Sequence, residues 1–570
     1  MRRLGKYIKP HLWFIVLTLA IKFAATYVEL WIPTLMEVML RKETASYGLP
    51  RIFLYGGLML LCAIGCITMN ITANRMTAFS SGKITRAVRH DLFQKLQYLS
   101  ARQMDRITIP SAVSRLTSDT YNVNQILTRL QRIGIRAPIL LIGGIIMMLG
   151  LDVQLALILI GLLPVIAIVV YFVTKKSIPL HAQQQTVLDD VVRVSQENIT
   201  GIRVIKALSK TEYEKARFGK VNKELSDIGQ KAGMVTSITG PVTSAVLNLG
   251  LTAVVLLGAF RVNGGKIEPS VIIASLQYFT MILNSMVAIT RIFVMWSKGE
   301  ASANRVADVL KLPEDLAVLP ASVTEGNAPH IEFRNVSFSY TGVGKNIDGL
   351  SFRLERGQTL GILGSTGSGK STILNLLLRL YDPDEGSIFI DGQDLRTIHR
   401  EALQKKFGTV FQNDFITEGT IGHNIRFFRE LPDEAVEAAA QYAQAGFIAE
   451  KEGGMAAEVV VRGNNLSGGQ KQRLLIARAL AANPEILVLD DASSALDYRT
   501  DAALRKALRD NYRHTTTVLV TQRISSVQHA DLILVLDDGQ VIGAGTHEYL
   551  IETCEDYRAI ARAQMGEEVM

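Results

Sequence analysis

Cysteine is nearly absent. Three occur in 570 residues, Cys62 and Cys66 inside an apolar run and Cys554 near the C-terminus, so neither a disulfide framework nor metal-type spacing is present and a reducing cytosol suits the chain. Charge is also scarce. Asp, Glu, Lys and Arg make up 20% of the residues against 48% apolar ones, a balance too apolar for an ordinary soluble enzyme. The net charge of +8 does not point to nucleic acid, because the basic residues crowd beside apolar runs, where the positive-inside rule places them on a cytoplasmic face. Nor does the start read as a cleavable leader. "MRRLGKYIKPHLWFIVLTLAIKFAA" has a basic start and an apolar stretch, but apolar character continues through Tyr27, Leu30, Trp31 and Ile32 without a small-x-small site. An uncleaved spanning helix is expected.

What is present divides sharply by position. A chain of this length exceeds one hydrophobic core. Before about residue 300 lie several apolar runs long enough to cross a ~30 Å hydrocarbon layer, and six spans can be drawn, about 12–39, 52–74, 137–151, 153–174, 233–260 and 270–296. The third and fourth touch at "GLDVQ" around Asp152, which predicts a tight hairpin. Residues 75–136 and 175–232 are polar and helical in pattern, and the first of them carries many Arg and Lys against only Asp91, Asp105 and Asp119. With Arg2, Arg3, Lys6 and Lys9 at the start, these place both long loops, the N-terminus and the end of the membrane part in the cytoplasm. The expected architecture is an all-α transmembrane domain over 1–310, six long helices with cytoplasmic extensions. A linker over 311–328 and an α/β P-loop NTPase domain over 329–570 follow. The setting is the lipid bilayer of the cytoplasmic membrane.

"TLGILGSTGSGKST", residues 359–372, carries the most specific chemistry. An apolar strand runs into Gly364, Ser365, Thr366, Gly367, Ser368, Gly369, Lys370 and Ser371, and Thr372 leads on into the helical "TILNLLLRL". The pattern is G-x-x-x-x-G-K-[ST]. Its glycines let backbone N–H groups approach phosphates, Lys370 reaches the β- and γ-phosphates of ATP, and the Ser371 hydroxyl can ligate Mg²⁺. In "EILVLDDASSALD", residues 485–497, a buried strand ends at Asp490, placed to hold Mg²⁺ through water, with Asp491 next to orient the attacking water.

With these motifs in place the chain resembles an ABC exporter half-transporter over essentially its whole length. "NLSGGQKQR", residues 465–473, is similar to the ABC signature. The resemblance implies that Leu466, Ser467, Gly468, Gly469 and Gln470 cover the γ-phosphate of a nucleotide held by the other subunit. It further implies that Tyr340 stacks on adenine and that Gln412 in "TVFQND" is the Q-loop glutamine near Mg²⁺. Ser494, Ala495, Leu496 and Asp497 would form the D-loop. "SRLTSDT" (114–120) and "QENITGIRVIKAL" (196–208) look like cytoplasmic loop segments of the transmembrane half.

Two positions depart from the family pattern, and both do catalysis. Where most members carry Glu after the Walker B aspartate this chain has Asp491, and where they carry the switch histidine "LVTQRISS" offers Gln522. Aspartate sets its carboxylate back by about 1–1.5 Å, whereas a general base must lie within about 3 Å of its water. A misplacement of about 1 Å can cost on the order of 10²-fold. Gln522 can donate a hydrogen bond but cannot become a cation. The site is expected to bind ATP well and hydrolyse it poorly; the other reading is tolerated variation in a working enzyme. In the segment resembling the cross-linking loop, "EVVVRG", Val461 stands where an acidic residue is usual.

The resemblance implies that each nucleotide lies between the Walker motifs of one subunit and the signature of the other. A homodimer would then hold two poor sites, so the expected partner is a second half-transporter carrying Glu and His. Cargo is less legible. Gln277, Asn284 and Arg291 on the sixth span recur every seven residues, within about 40° of one helix face, and Lys22 and Glu29 do the same on the first. Both stripes could line a translocation path or simply tie helices together, and Arg291 could snorkel near the cytoplasmic end. A small amphipathic or hydrophobic compound is the default cargo, as in multidrug export. Lipid or peptide export, and an ATP-gated conduit or regulatory subunit, remain open.

Overall fold

The structure is a computed structural model. It describes residues 2–42, 48–314, 316–320, 328–412 and 415–565, leaving aside the side chains at 2, 170, 239, 290, 291, 293, 294 and 297. Its contacts divide the chain into two units, one of Met1–Gln97 with Pro110–Leu312 and one of Tyr98–Ile109 with Pro313–Met570.

The first unit is helical. Among the described residues, six helices are long and apolar enough to cross a membrane: Gly5–Leu40, Leu49–Gln97, Ile109–Leu151, Val153–Thr200, Thr211–Asn263 and the apolar start of Pro269–Leu310. Most of them overrun the hydrophobic runs. The 49 residues of Leu49–Gln97 extend roughly 70 Å at about 1.5 Å each, so the apolar run is only one part of the rod. At Asp152 the chain reverses in a single residue between Leu151 and Val153. The Asp152 side chain makes this possible by accepting from Leu155 N at 3.0 Å, capping the new helix, while its other oxygen pairs with Arg261 at 2.6 Å. Leu155, Leu159, Met148, Tyr278, Phe279 and Ile282 pack into the unit's core.

The second unit is built on strands β1 (Ile331–Phe338), β2 (Ile347–Leu354), β3 (Thr359–Gly364), β4 (Glu385–Ile390) and β5 (Gln393–Asp394), then β6 (Phe407–Val410), β7 (Gly419–Thr420) and β8 (Glu458–Val459). The last four are β9 (Ile486–Asp490), β10 (Thr516–Val520), β11 (Leu532–Asp537) and β12 (Gln540–Gly545). One sheet runs β2-β1-β4-β5, a larger one β12-β11-β3-β10-β9-β6, and β7 pairs with β8. Within the larger sheet β3, β6, β9, β10 and β11 are parallel, and β9 is buried at every position, as a strand covered on both faces must be. That arrangement brings the carboxyl ends of β3 and β9 to one edge, where ligands of open α/β sheets bind.

Tyr98–Ile109 belongs by its contacts to this second unit, although the sequence reading put it inside the first domain, 1–310. Its helix Ala101–Ile107 starts from a capping box between Ser100 and Gln103. Arg102 donates to Asp384 at 3.2 Å and to the Ser339 carbonyl at 3.1 Å. The Tyr381 hydroxyl donates to Asp105 at 2.5 Å, and burial together with this carboxylate pushes its phenol well above the usual range.

Candidate nucleotide site

β3 delivers the loop of residues 364–371 directly onto the helix Lys370–Leu377. Gly369, the residue before that helix, has φ +100°, and a Cβ there would lie 2.7 Å from the Asn346 carbonyl oxygen, so only glycine fits. A Cβ on Gly364 would strike the Leu536 carbonyl at 2.4 Å. Ser365, Thr366 and Gly367 form the exposed rim, Thr372 is buried, and Ser368 is buried with its hydroxyl unpartnered. Lys370 Nζ donates inward to the carbonyls of Gly364 at 2.9 Å and Ser365 at 2.6 Å. It therefore fills the concavity of the loop, where phosphate oxygens would replace those carbonyls. Burial holds its ammonium below the usual lysine range against the pull of Asp490 and Asp491.

The carboxylates arrive from β9. Asp490 is buried at its end and accepts from Ser371 Oγ at 3.1 Å, which joins the two groups that would hold Mg²⁺. Burial pushes the Asp490 carboxyl up, with Ser371 and Lys370 drawing it back. Burial does the same to Asp491, which Ser494, Arg523 and Lys370 draw back. The donor set of hydroxyl and carboxylate oxygens, Ser371 Oγ beside Asp490, suits a hard cation. Asp491 itself has φ +50° and donates its N–H to the Val520 carbonyl at 2.9 Å. Aspartate tolerates this left-handed turn better than longer side chains do. Gln522 lies exposed two residues beyond β10, and Gln412 exposed two beyond β6; Asn413 and Asp414 lie outside the described residues.

Tyr340 sits beyond β1, half-buried, edge-on to Tyr381 at 5.1 Å and to Phe338 at 4.9 Å between ring centres. Its hydroxyl accepts from Asn375 at 2.9 Å on the P-loop helix, a tie the sequence reading missed because nothing in "TILNLLLRL" marks that asparagine. At the other face, Leu466 is buried while Ser467 and Gly468 are exposed. Ser467 caps the helix Gly468–Leu480 in a capping box with Gln470, and a Cβ on Gly469 would stand 3.1 Å from the Ala495 carbonyl. The D-loop is thus seated against the signature. Gln472 secures it, donating to Ser494 Oγ at 2.9 Å and accepting from Ala495 N at 2.9 Å. Leu496 is buried and Asp497 caps the helix Tyr498–Asn511 by accepting from Thr500 N at 2.9 Å. In the cross-linking segment, Asn465 accepts from Val460 N and donates to Glu458 O, leaving Val461 exposed.

Comparison with known proteins decides the family. Residues 12–286 match the ABC transporter transmembrane region and residues 347–494 the ABC transporter family proper. An uncharacterized ABC transporter ATP-binding protein of Mycobacterium tuberculosis is 31% identical over 98% of this chain and 97% of its own length. YfiB of Bacillus subtilis, of the same description, is 32% identical over 100% and 99%. The chain belongs to the ABC transporter family. A solved bacterial Atm1-family ABC exporter with ATP bound matches its fold with a TM-score of 0.82 at 25% identity, covering 99% of each chain. It is a half-transporter of exporter type, a multi-pass membrane protein in which an ABC domain that binds ATP is fused to a transmembrane domain. Its activity is ATP hydrolysis coupled to transport.

In the membrane half of this ABC transporter the two polar stripes fare differently. Lys22, 4% exposed, donates to Asn70 at 2.6 Å and Asn74 at 3.3 Å. Glu29 pairs in two-pronged fashion with Arg136 at 2.6 and 3.2 Å. Both are engaged with neighbouring helices, as the tying role requires. On the sixth span Gln277 is half-buried and donates to Met36 Sδ at 3.0 Å, whereas Asn284 is exposed; the Arg291 side chain lies outside the described residues.

Proposed function

We infer that this chain is the slow-site half of a heterodimeric exporter. It binds ATP with Mg²⁺ on its own Walker motifs, hydrolyses the ATP poorly, and lends a competent signature to a partner half-transporter that carries Glu and His. The observation that carries this reading is the contrast at the end of β9. Everything that holds phosphate and cation is present in 364–371 and Asp490, while the two positions that act on the attacking water and the γ-phosphate hold Asp491 and Gln522. The left-handed backbone at Asp491 is in keeping with the reading, since aspartate adopts that conformation more readily than longer side chains do.

In this reading Ser371, Asp490 and Gln412 hold Mg²⁺, which neutralises phosphate charge when bound, and Tyr340 carries the adenine. Lys370 turns from the loop carbonyls to the phosphates. Ser467, Gly468 and Gly469 close over the partner's nucleotide. The long cytoplasmic helices and the ABC domain face the cytoplasm, and the cargo is a small amphipathic or hydrophobic compound. Lys22 and Glu29 brace the bundle, so contact with cargo falls to the face of Gln277 and Asn284.

ATPase assays on the purified chain and on the chain co-expressed with its partner test this. Low activity alone and restored activity in the pair are expected; robust turnover by a verified homodimer would overturn it. Turnover that rises with cargo in vesicles separates a pump from an ATP-gated conduit.

A further inference from the structure

The last turn of the C-terminal helix Glu555–Met565 brings one side chain to the switch loop. Gln564 Oε1 accepts from Ile524 N at 2.9 Å, and its Nε2 donates to the Gln522 carbonyl at 2.7 Å. A primary amide can accept from one peptide and donate to another at once, and here it brackets Gln522, Arg523 and Ile524. The need for it is local. Ile524 opens the four-residue helix Ile524–Val527, whose preceding residue makes no side-chain cap, so its first N–H has no partner within the helix. Gln564 supplies the cap from 40 residues away. The helix bearing it is anchored on the same face, because Tyr557 and Ala561, seven and three residues earlier, are fully buried in one cluster with Ile524 and Val527.

The contact continues beyond the loop. Arg523 donates to the Ser494 carbonyl at 3.1 Å, and Gln472 of the signature helix holds Ser494 and Ala495 from the other side. We propose that Gln564 is a positioning residue that fixes the backbone at Gln522 and, through Arg523 and the D-loop, joins the switch position to the signature helix as one hydrogen-bonded unit. The proposal does not rest on which of the two nucleotide sites hydrolyses, since the unit carries both the switch position and the signature that faces the opposite site. Physical continuity of this kind is a basis for coupling only if perturbing one end moves the other.

Hydrogen–deuterium exchange on the full chain in lipid nanodiscs tests it directly. In Gln564→Ala, exchange should rise several-fold in peptides covering 521–527 and 494–497, with 359–372 unchanged and 555–561 still protected. Gln564→Glu, which keeps the acceptor but loses the donor, should fall between wild type and Gln564→Ala. In the active transporter, maximal ATP turnover of Gln564→Ala should drop several-fold with the half-saturating ATP concentration unchanged. Wild-type exchange at 521–527 and 494–497 in Gln564→Ala would overturn the proposal. So would loss of protection over 555–561, or equal effects of the Ala and Glu variants, since either reduces Gln564 to a helix-docking residue.

Discussion

Two halves of the same nucleotide pocket have been treated differently. The half that holds ATP keeps every group its chemistry demands. Glycines stand where a Cβ would strike backbone, Lys370 points inward, and Ser371 touches Asp490 at 3.1 Å. The half to which the proposed reading assigns cleavage carries Asp491, a shorter acid, and Gln522, an amide that cannot become a cation. The signature face, which in this family serves the opposite nucleotide, is again whole, with a capped helix and a seated D-loop. On the proposed reading binding and hydrolysis are separable properties of one fold, because binding rests on many backbone donors and hydrolysis on two side chains placed to within about 1 Å.

The largest expected effect comes from the intact face. Gly468→Val, whose new side chain would point at the Ala495 Cβ 3.5 Å from its own Cβ, should lower ATPase activity of the assembled transporter on the order of 10²-fold. Asp491→Asn should cost less than threefold, on the order of ~0.5 kcal/mol. A larger loss from Asp491→Asn, measured by phosphate release, would reverse the comparison.

The binding half is probed next. Tyr340→Ala should weaken nucleotide binding at this site by about ten- to a hundredfold, from stacking of ~1–3 kcal/mol. Asn375→Ala, which frees only the Tyr340 hydroxyl, should cost a few-fold, in keeping with a hydrogen bond of ~0.5–1.5 kcal/mol. A nucleotide titration that resolves the two sites reads both.

Restoring the altered half should sharpen the contrast more gently. Asp491→Glu with Gln522→His is expected to raise hydrolysis at this site several-fold and shorten the time labelled ATP stays bound. Asp491→Glu alone should gain less, because groups acting as a unit are not additive and because glutamate is less at ease at φ +50°. If wild type retains no more ATP here than at the partner's site after one turnover, Asp491 is a working catalytic carboxylate.

The smallest effect lies at the opposite end of the same strands. His330, 1% exposed and bonded to Thr516 at 2.6 Å, is held below the usual histidine range by burial, even with Asp391 nearby. Its folded value lies under the unfolded one, so the unfolded state binds the extra proton as pH drops below about 6.5 and stability falls with it. The thermal midpoint of the nucleotide domain should therefore decline from pH 7 to 5.5, and decline less in His330→Gln. ATP affinity of that variant should be unchanged at pH 7.

Legibility followed the range of the interactions. Residues 364–371 and 465–473 could be read directly, because the distances their chemistry needs are set along a few consecutive residues of strand, loop and helix. The six apolar runs were readable for a similar reason: crossing hydrocarbon is a property of one segment's composition. Asp491 and Gln522 stood out by residue type against the family pattern, with no geometry required.

What the chain brings together across long separations was hidden. Lys22 reads as a polar outlier until Asn70 and Asn74 are seen to receive it, and Glu29 until Arg136 does. Tyr98–Ile109 reads as part of a basic cytoplasmic loop, yet its contacts lie with the strands of the second unit. Asn375 and Gln564 carry no signal of their own, since a neutral amide gains meaning only from the phenol or peptide groups that folding sets within 3 Å of it. Composition and spacing determined that this protein crosses a membrane and grips a nucleotide. Tertiary packing alone decided which polar groups brace the bundle and which side chain caps the switch loop, because those pairings join residues whose separation along the chain says nothing about their distance in space.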